Sequence, residues 1–164
     1  MPPDAPRTLS AAAQRVQDAL RAGGFANTVL ELDVPVKTAA AAAEAVGCTP
    51  AQIVKSLVFR GAASGVPVLV VASGGNRISE ARLAALMGEP VVLAAPRFVR
   101  EVTGFAIGGI PPIAHARKLD TIVEGTLLTL GGLWAAAGHP NSLFALTADE
   151  LLRMTQGRVA EVAE

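Results

Sequence analysis

Two apolar runs, "QIVKSLVFRG" over 52–61 and "VPVLVVASG" over 66–74, lie only a few residues apart. Both are rich in the β-branched types that favour a pleated, buried strand. The stretch between them, bounded by Gly61 and Gly65, is too short for a parallel crossover. The pair therefore predicts an antiparallel hairpin at the centre of the fold, with everything else arranged around it. One residue breaks the pattern. Lys55 stands among Ile53, Val54, Leu57, Val58 and Phe59, and an ammonium is costly to remove from water without a compensating partner.

The flanking segments alternate between helix and strand signals. Residues 1–8, "MPPDAPRT", are proline-rich and predict a loose lead-in. Ser10 is an N-cap for a helix over 10–22 that ends at Gly23-Gly24, and "TVLELDVP" suits a strand ending at Pro35. "KTAAAAAEAVG" is an alanine-rich helix stopped by Gly47, and "TPAQ" carries a capping-box pattern from Thr49 to Gln52. After the hairpin come a helix "SEARLAALMG", a short strand "PVVLAAP" and a helix "PRFVREVTG" opened by Pro96. "LDTIVE", "LWAAA" and "SLFAL" read as strands, the last two joined through the turn "GHPN", while "GTLLTLGG" fits neither type. "TADELLRMTQG" is expected to close the domain as a helix. Tight connections argue for a mixed, largely antiparallel sheet with peripheral helices, an α/β (α+β) arrangement in one compact domain over 1–164.

Composition narrows the functional classes. At 164 residues with 51% hydrophobic and 17% charged residues, the chain buries a real core and is not a disordered segment. Fourteen basic residues balance fourteen acidic ones, so a long duplex gripped by its phosphates is not the expected partner. Lys37, Arg77, Arg82, Arg97, Arg100, Arg117 and Lys118 are candidate contacts to a few phosphates, most of them simply solvated surface charges. A single cysteine, Cys48, excludes an internal disulfide and a cysteine-based zinc site, and two histidines cannot build a histidine-rich metal site. No metal or cofactor is expected. There is no P-loop, no dinucleotide fingerprint and no GxSxG elbow. The absence of a signal-peptide pattern and of any membrane-length apolar run predicts a cytoplasmic protein without membrane contact.

Three segments could carry chemistry. Lys55 is either a sheet-edge lysine whose stem covers apolar surface while its head reaches water, or a cation aimed into a pocket to stabilise negative charge on a substrate oxygen. From the strand alone the first is the simpler reading. "TGFAIGGIPPIAH", 103–115, combines Gly104, Gly108 and Gly109 with the stiffening Pro111 and Pro112, the makings of a rigid loop with exposed amides. It contains few polar side chains for a plain turn. "AAAGHPNSLF" puts His139, Asn141 and Ser142 at a hairpin tip, where local turn bonding would also account for them.

The order of these segments, a lysine strand "QIVKSLVF", a strand "PVLVVASG", a helix, the loop "GFAIGGIPPIAH" and the hairpin "LWAAAGHPNSLFAL", resembles the YbaK/ProX family of aminoacyl-tRNA deacylases, relatives of the editing domain of bacterial prolyl-tRNA synthetase. The similarity runs from the first helix to the last. It implies a curved, barrel-like mixed sheet and hydrolysis of the ester that joins a wrong amino acid to the tRNA acceptor end. On that resemblance Lys55 is the residue most tied to activity, with Gly108 and Gly109 beside it as catalytic loop positions. Gly104, Ile110, Pro112 and His115 belong to the loop that holds the aminoacyl group, and His139, Asn141 and Ser142 to the hairpin that shapes the amino-acid pocket. A small residue such as alanine or cysteine would be removed, with tRNA-Pro or a similar tRNA as partner and a synthetase as a possible second partner. Two positions depart from the pattern. Ala114 stands where many relatives carry glycine, and Pro111 where cysteine-specific members carry a small polar residue. A non-catalytic nucleotide or amino-acid sensor on the same fold is the competing reading; a pure interaction domain, without a pocket beside Lys55, is a third.

Overall fold

The computed structural model describes residues 8–164, so all but the last residue of the loose lead-in expected at 1–8 lies outside the described residues. The predicted hairpin is the centre of the sheet. Strand β2 (Ile53–Gly61) pairs antiparallel with β3 (Pro67–Ser73), with Lys55 opposite Ala72 and Val58 opposite Leu69. Around them run α1 (Ala11–Ala22), β1 (Val29–Glu31), α2 (Ala39–Val46), α3 (Glu80–Met87), β4 (Val91–Leu93) and α4 (Pro96–Thr103). There follow β5 (Asp120–Glu124), β6 (Gly132–Ala136), β7 (Ser142–Thr147), α5 (Ala148–Thr155) and β8 (Arg158–Ala160). Two 3-10 turns, Pro50–Gln52 and Gly125–Thr129, complete the order; the second is the segment whose sequence fitted neither helix nor strand.

The strands form one mixed sheet in the order β1-β7-β6-β2-β3-β5-β8, with β4 attached to β2. Four of the seven pairings are antiparallel and three, β2–β6, β3–β5 and β5–β8, are parallel. The sheet is therefore mixed, as expected, but it is open: β1 and β8 remain edges. The parallel pairs arise between strands far apart in sequence, which tight local connections could not reveal. The chain also does not close on its last helix. β8 adds to β5, and Ala163 bridges back to Ile78. Three residues, "RVA", are too few to show a strand period.

Helix ends obey the local chemistry. Ser10 Oγ accepts the Ala13 amide at 3.2 Å, and Thr38, Ser79 and Thr147 cap α2, α3 and α5 in the same way. Gly47, Gly88 and Gly104 end α2, α3 and α4 in the left-handed conformation.

The two faces of β2 feed different cores. Val54 and Val58 join α1, Val99, Ile110 and Phe144 in the larger cluster; Leu57 and Phe59 pack with Val68, Val70, Leu83 and Ile122 in a second. Phe144 is fully buried on β7, where it bridges α1 and the sheet. Phe144→Ala is expected to cost roughly 3–5 kcal/mol, by lost burial plus a cavity that a sheet-borne site cannot collapse. Urea unfolding followed by circular dichroism reads this as a lower midpoint at an unchanged slope.

Candidate active site

The site begins with a gap in hydrogen bonding. On the edge of β2 away from β3, Ile53 and Val54 pair with β6, while Phe59–Gly61 pair with β4. Between these ladders, among the described residues, 55–58 have no strand partner on that side, and the Val58 carbonyl is taken by the Ala94 amide at 2.9 Å. A cavity of ≈ 350 Å³ opens there. Its walls are apolar, among them Val36, Ala42, Val99 and Leu143, and its polar lining includes Thr38, Lys55 and Ser56.

Lys55 is half-buried rather than free in solvent. Its Nζ donates a short hydrogen bond to the main-chain carbonyl of Asn76, in the turn that follows β3. Burial pushes its pKa below the ordinary lysine value, while the charge of Glu124 acts the other way. Glu124, at the end of β5, is 1% exposed. Its Oε1 accepts from Asn76 Nδ2 at 2.6 Å, and its Oε2 accepts the Thr126 amide.

Ser56 points to the opposite face of the strand. Its Oγ is buried and, among the described residues, has no hydrogen-bond partner. The main-chain groups of Ser56 face the same gap: the Ile53 carbonyl bonds toward β3 and that of Val58 away from it, and strand alternation sets Ser56 with Val58. The amide and carbonyl of Ser56 thus open on the gap, with its buried hydroxyl beside the cavity that the residue lines.

The glycine loop closes the other wall, through Ile107, Gly108, Gly109 and Ile110. Gly108 has φ 103°, a conformation that favours glycine. The Gly109 carbonyl accepts the Gly138 amide at 2.8 Å, which staples the loop to the β6–β7 hairpin. The Gly109 amide donates to Ala106 over 3.3 Å, a long, weak bond. A Cβ at residue 109 would stand 2.8 Å from the His139 main-chain nitrogen, so a side chain there cannot coexist with the staple. At the start of the loop, Arg15 donates to the Gly104 carbonyl at 2.9 Å and lies over the Phe105 ring.

Of the sequence-derived residues, Lys55, Gly108, Gly109 and Ile110 share the cavity. The rest stand behind it or elsewhere. Gly104 caps α4, and Pro112 and His115 line a separate shallow groove with Lys118 and Gln156. His115 Nε2 bonds the Pro111 carbonyl at 2.8 Å, and burial lowers its pKa, so the ring is a neutral donor bracing the loop. His139 Nδ1 accepts the Asn141 amide at 3.1 Å, Asn141 Nδ2 reaches the Leu32 carbonyl at 3.4 Å, and Ser142 Oγ donates to Glu31 at 2.6 Å. These bonds shape the hairpin that carries the staple. All seven candidate phosphate contacts are exposed, and Lys37 is the one that lines the cavity.

A model of the aminoacyl-tRNA editing domain matches residues 33–154, a span holding the lysine strand, the glycine loop and the hairpin. The chain belongs to the aminoacyl-tRNA editing domain family. It is 45% identical, at a TM-score of 0.91, to a solved structure put forward as a trans-editing enzyme for prolyl-tRNA synthetase, covering 96% of this chain and 99% of that one. Among curated proteins it is 32% identical to the uncharacterized YwhH of Bacillus subtilis (strain 168), over 81% of this chain and 84% of the relative. It is 26% identical, over 76% of each, to EbsC of Enterococcus faecalis (strain ATCC 700802 / V583), put forward as a Cys-tRNA(Pro)/Cys-tRNA(Cys) deacylase. As a member of this family the chain is a hydrolase of the aminoacyl-tRNA ester bond. Among the described residues, no helix is long and apolar enough to cross a membrane.

Sequence reasoning missed Ser56, Asn76 and Glu124. For Ser56 the signal is a hydroxyl beside the lysine in an otherwise apolar stretch. Asn76 joins the site at the end of the β2–β3 hairpin, and Glu124 only through the parallel β3–β5 pairing.

Ala114, the position at which the family resemblance leads us to expect glycine, has φ 70°. An alanine held there is strained by roughly 1–2 kcal/mol. Ala114→Gly is expected to raise stability by about 1 kcal/mol, the strain relief being offset in part by glycine's chain entropy. Gly109→Ala should instead destabilise by about 2 kcal/mol or more, because its clash is with backbone. Thermal unfolding of the two variants checks both signs.

Proposed function

We propose that the chain is a trans-acting editing deacylase that removes a small, uncharged amino acid, alanine or cysteine, from the acceptor end of a mischarged tRNA-Pro or similar tRNA. The observation that carries this reading is the meeting of the Lys55 strand and the Gly108–Gly109 loop on one small apolar cavity. An aminoacyl ester is already activated, so orientation and charge stabilisation at the carbonyl supply most of what hydrolysis needs.

Each group has a task in this reading. An ammonium carries three donors; one of Lys55's goes to Asn76, and the others serve the terminal ribose or the carbonyl oxygen as negative charge builds there. The amides at Gly108 and Gly109 share that charge. The free Ser56 hydroxyl takes a polar atom of the aminoacyl group, which supplies the partner a buried hydroxyl otherwise lacks. Among the described residues no carboxylate or imidazole lines the cavity, so in this reading water is activated by the substrate's own amine or hydroxyl, or by a backbone carbonyl. Selection rests on size: apolar walls admit a short side chain and reject the proline ring, and a hydrophobic pocket discriminates by about 1–3 kcal/mol per methylene. Lys37 at the rim meets a terminal phosphate, and a synthetase supplies recognition of the tRNA body.

The test is a panel of tRNA-Pro charged with alanine, cysteine, serine or proline. Release of alanine or cysteine with proline left in place is expected. Release of proline, or of nothing, sinks the reading. Lys55→Ala should abolish turnover in a protein that still folds, with stability lowered by roughly 1–3 kcal/mol because buried Glu124 loses its compensating charge, which urea unfolding checks. Ser56→Ala should lower kcat/KM by about tenfold, the loss of one buried hydrogen bond.

A further inference from the structure

The cavity cation is not held by the cavity. It is held from behind, by groups on two elements that no segment of the site contains. The Lys55 ammonium ends on the Asn76 carbonyl. Asn76 is itself pinned, since its Nδ2 donates both to Glu124 Oε1 at 2.6 Å and to Thr126 Oγ1 at 3.0 Å. Glu124 is almost wholly buried, and both its oxygens accept hydrogen bonds. A carboxyl group that accepts at both oxygens has the bonding of the ionised form. A buried carboxylate is expensive unless a positive charge faces it.

We propose that Glu124, acting through Asn76, is a positioning residue for Lys55: it fixes the ammonium at the cavity edge and keeps it protonated there. This rests on the editing function proposed above for the cavity, but the linkage itself can be tested without it. The surroundings leave Glu124 as the compensating charge. Facing Lys55, β3, β4 and β6 carry no titratable side chain; β5 offers Glu124, with Asp120 exposed at its far end. Arg77, next to Asn76, is exposed, and Lys37 on the far cavity wall is a like charge that would weaken protonation. Burial and Glu124 pull the lysine in opposite directions. Removing the carboxylate leaves burial unopposed, so the Lys55 pKa must fall, and any activity that needs the cation must fade at a lower pH.

The chain has only three lysines, Lys37, Lys55 and Lys118, so lysine labelled with ¹³C at Cε gives an NMR titration in which the two exposed lysines serve as references. In Glu124→Gln the Lys55 pKa is expected to drop by roughly one unit, the effect of a nearby opposite charge. The references should stay in place. On mischarged tRNA, corrected for spontaneous ester hydrolysis, the alkaline limb of the kcat profile should move to lower pH by the same amount, with KM unchanged. A Lys55 resonance that titrates as in the parent, in a folded variant, overturns the proposal. Glu124→Asp keeps the charge and both acceptor oxygens, and so serves if the Gln variant unfolds. Drawing the charge back by one methylene should move the Lys55 pKa the same way by a smaller step, and an unmoved value again overturns it. If the parent deacylates nothing while the Lys55 pKa still follows residue 124, the editing function fails and the linkage stands.

Discussion

The structure turns on a strand that is paired at both ends and left open in its middle. Along one edge β2 is taken first by β6 and then by β4, and these two strands never meet. An unpaired strand edge inside a fold has to be satisfied by something. Here it faces a cavity, so backbone polarity that would otherwise be spent on a ladder stays available to a ligand. The apolar walls then follow from the surrounding core, and the few polar groups at the gap stand out against them. Specific binding sites combine apolar walls with a few placed polar groups in this way.

The same strand explains how a lysine survives in an apolar run. Strand alternation sends Lys55 and Ser56 to opposite faces. Lys55 lies on the side of the second core cluster, where the turn after β3 and the end of β5 supply its partners; Ser56 lies on the side of the main core, where it finds none. The cavity is reached from both because it opens at the edge, not on a face. A snorkelling lysine and a pocket lysine are therefore not alternatives at this position. The stem lies on the sheet and the head is held where the sheet stops.

Much of this frame was legible because it rests on local chemistry. Glycines after periodic runs, capping hydroxyls before them and the density of β-branched residues placed the helices and the central hairpin within a residue or two. Long-range pairing was not legible. Nothing in "LDTIVE" says that it will lie parallel to β3 and so bring Glu124 under Lys55. Nothing in "RVA" marks a strand, since its stability comes from the β5 edge it covers. Of the candidate site, the residues that meet at the cavity were those in segments that are themselves walls: the lysine strand and the glycine loop. His139, Asn141 and Ser142 drew notice for polar side chains, which the structure spends on holding a hairpin that, in turn, holds Gly109.

A cation that must act on an ester faces two opposed demands. It has to be withdrawn from water enough for its charge to be felt at a carbonyl oxygen, because solvent screens an exposed ammonium. Withdrawal, though, favours the neutral amine and discards the charge. A carboxylate in direct contact would keep the proton but occupy the donors and neutralise the field. The arrangement around Lys55 avoids both outcomes. A neutral carbonyl takes one donor, and the compensating carboxylate stands one residue further back, each of its oxygens already accepting from Asn76 or Thr126. The charge is kept on a side chain that lines the cavity, where a direct ion pair at this position would have cancelled it.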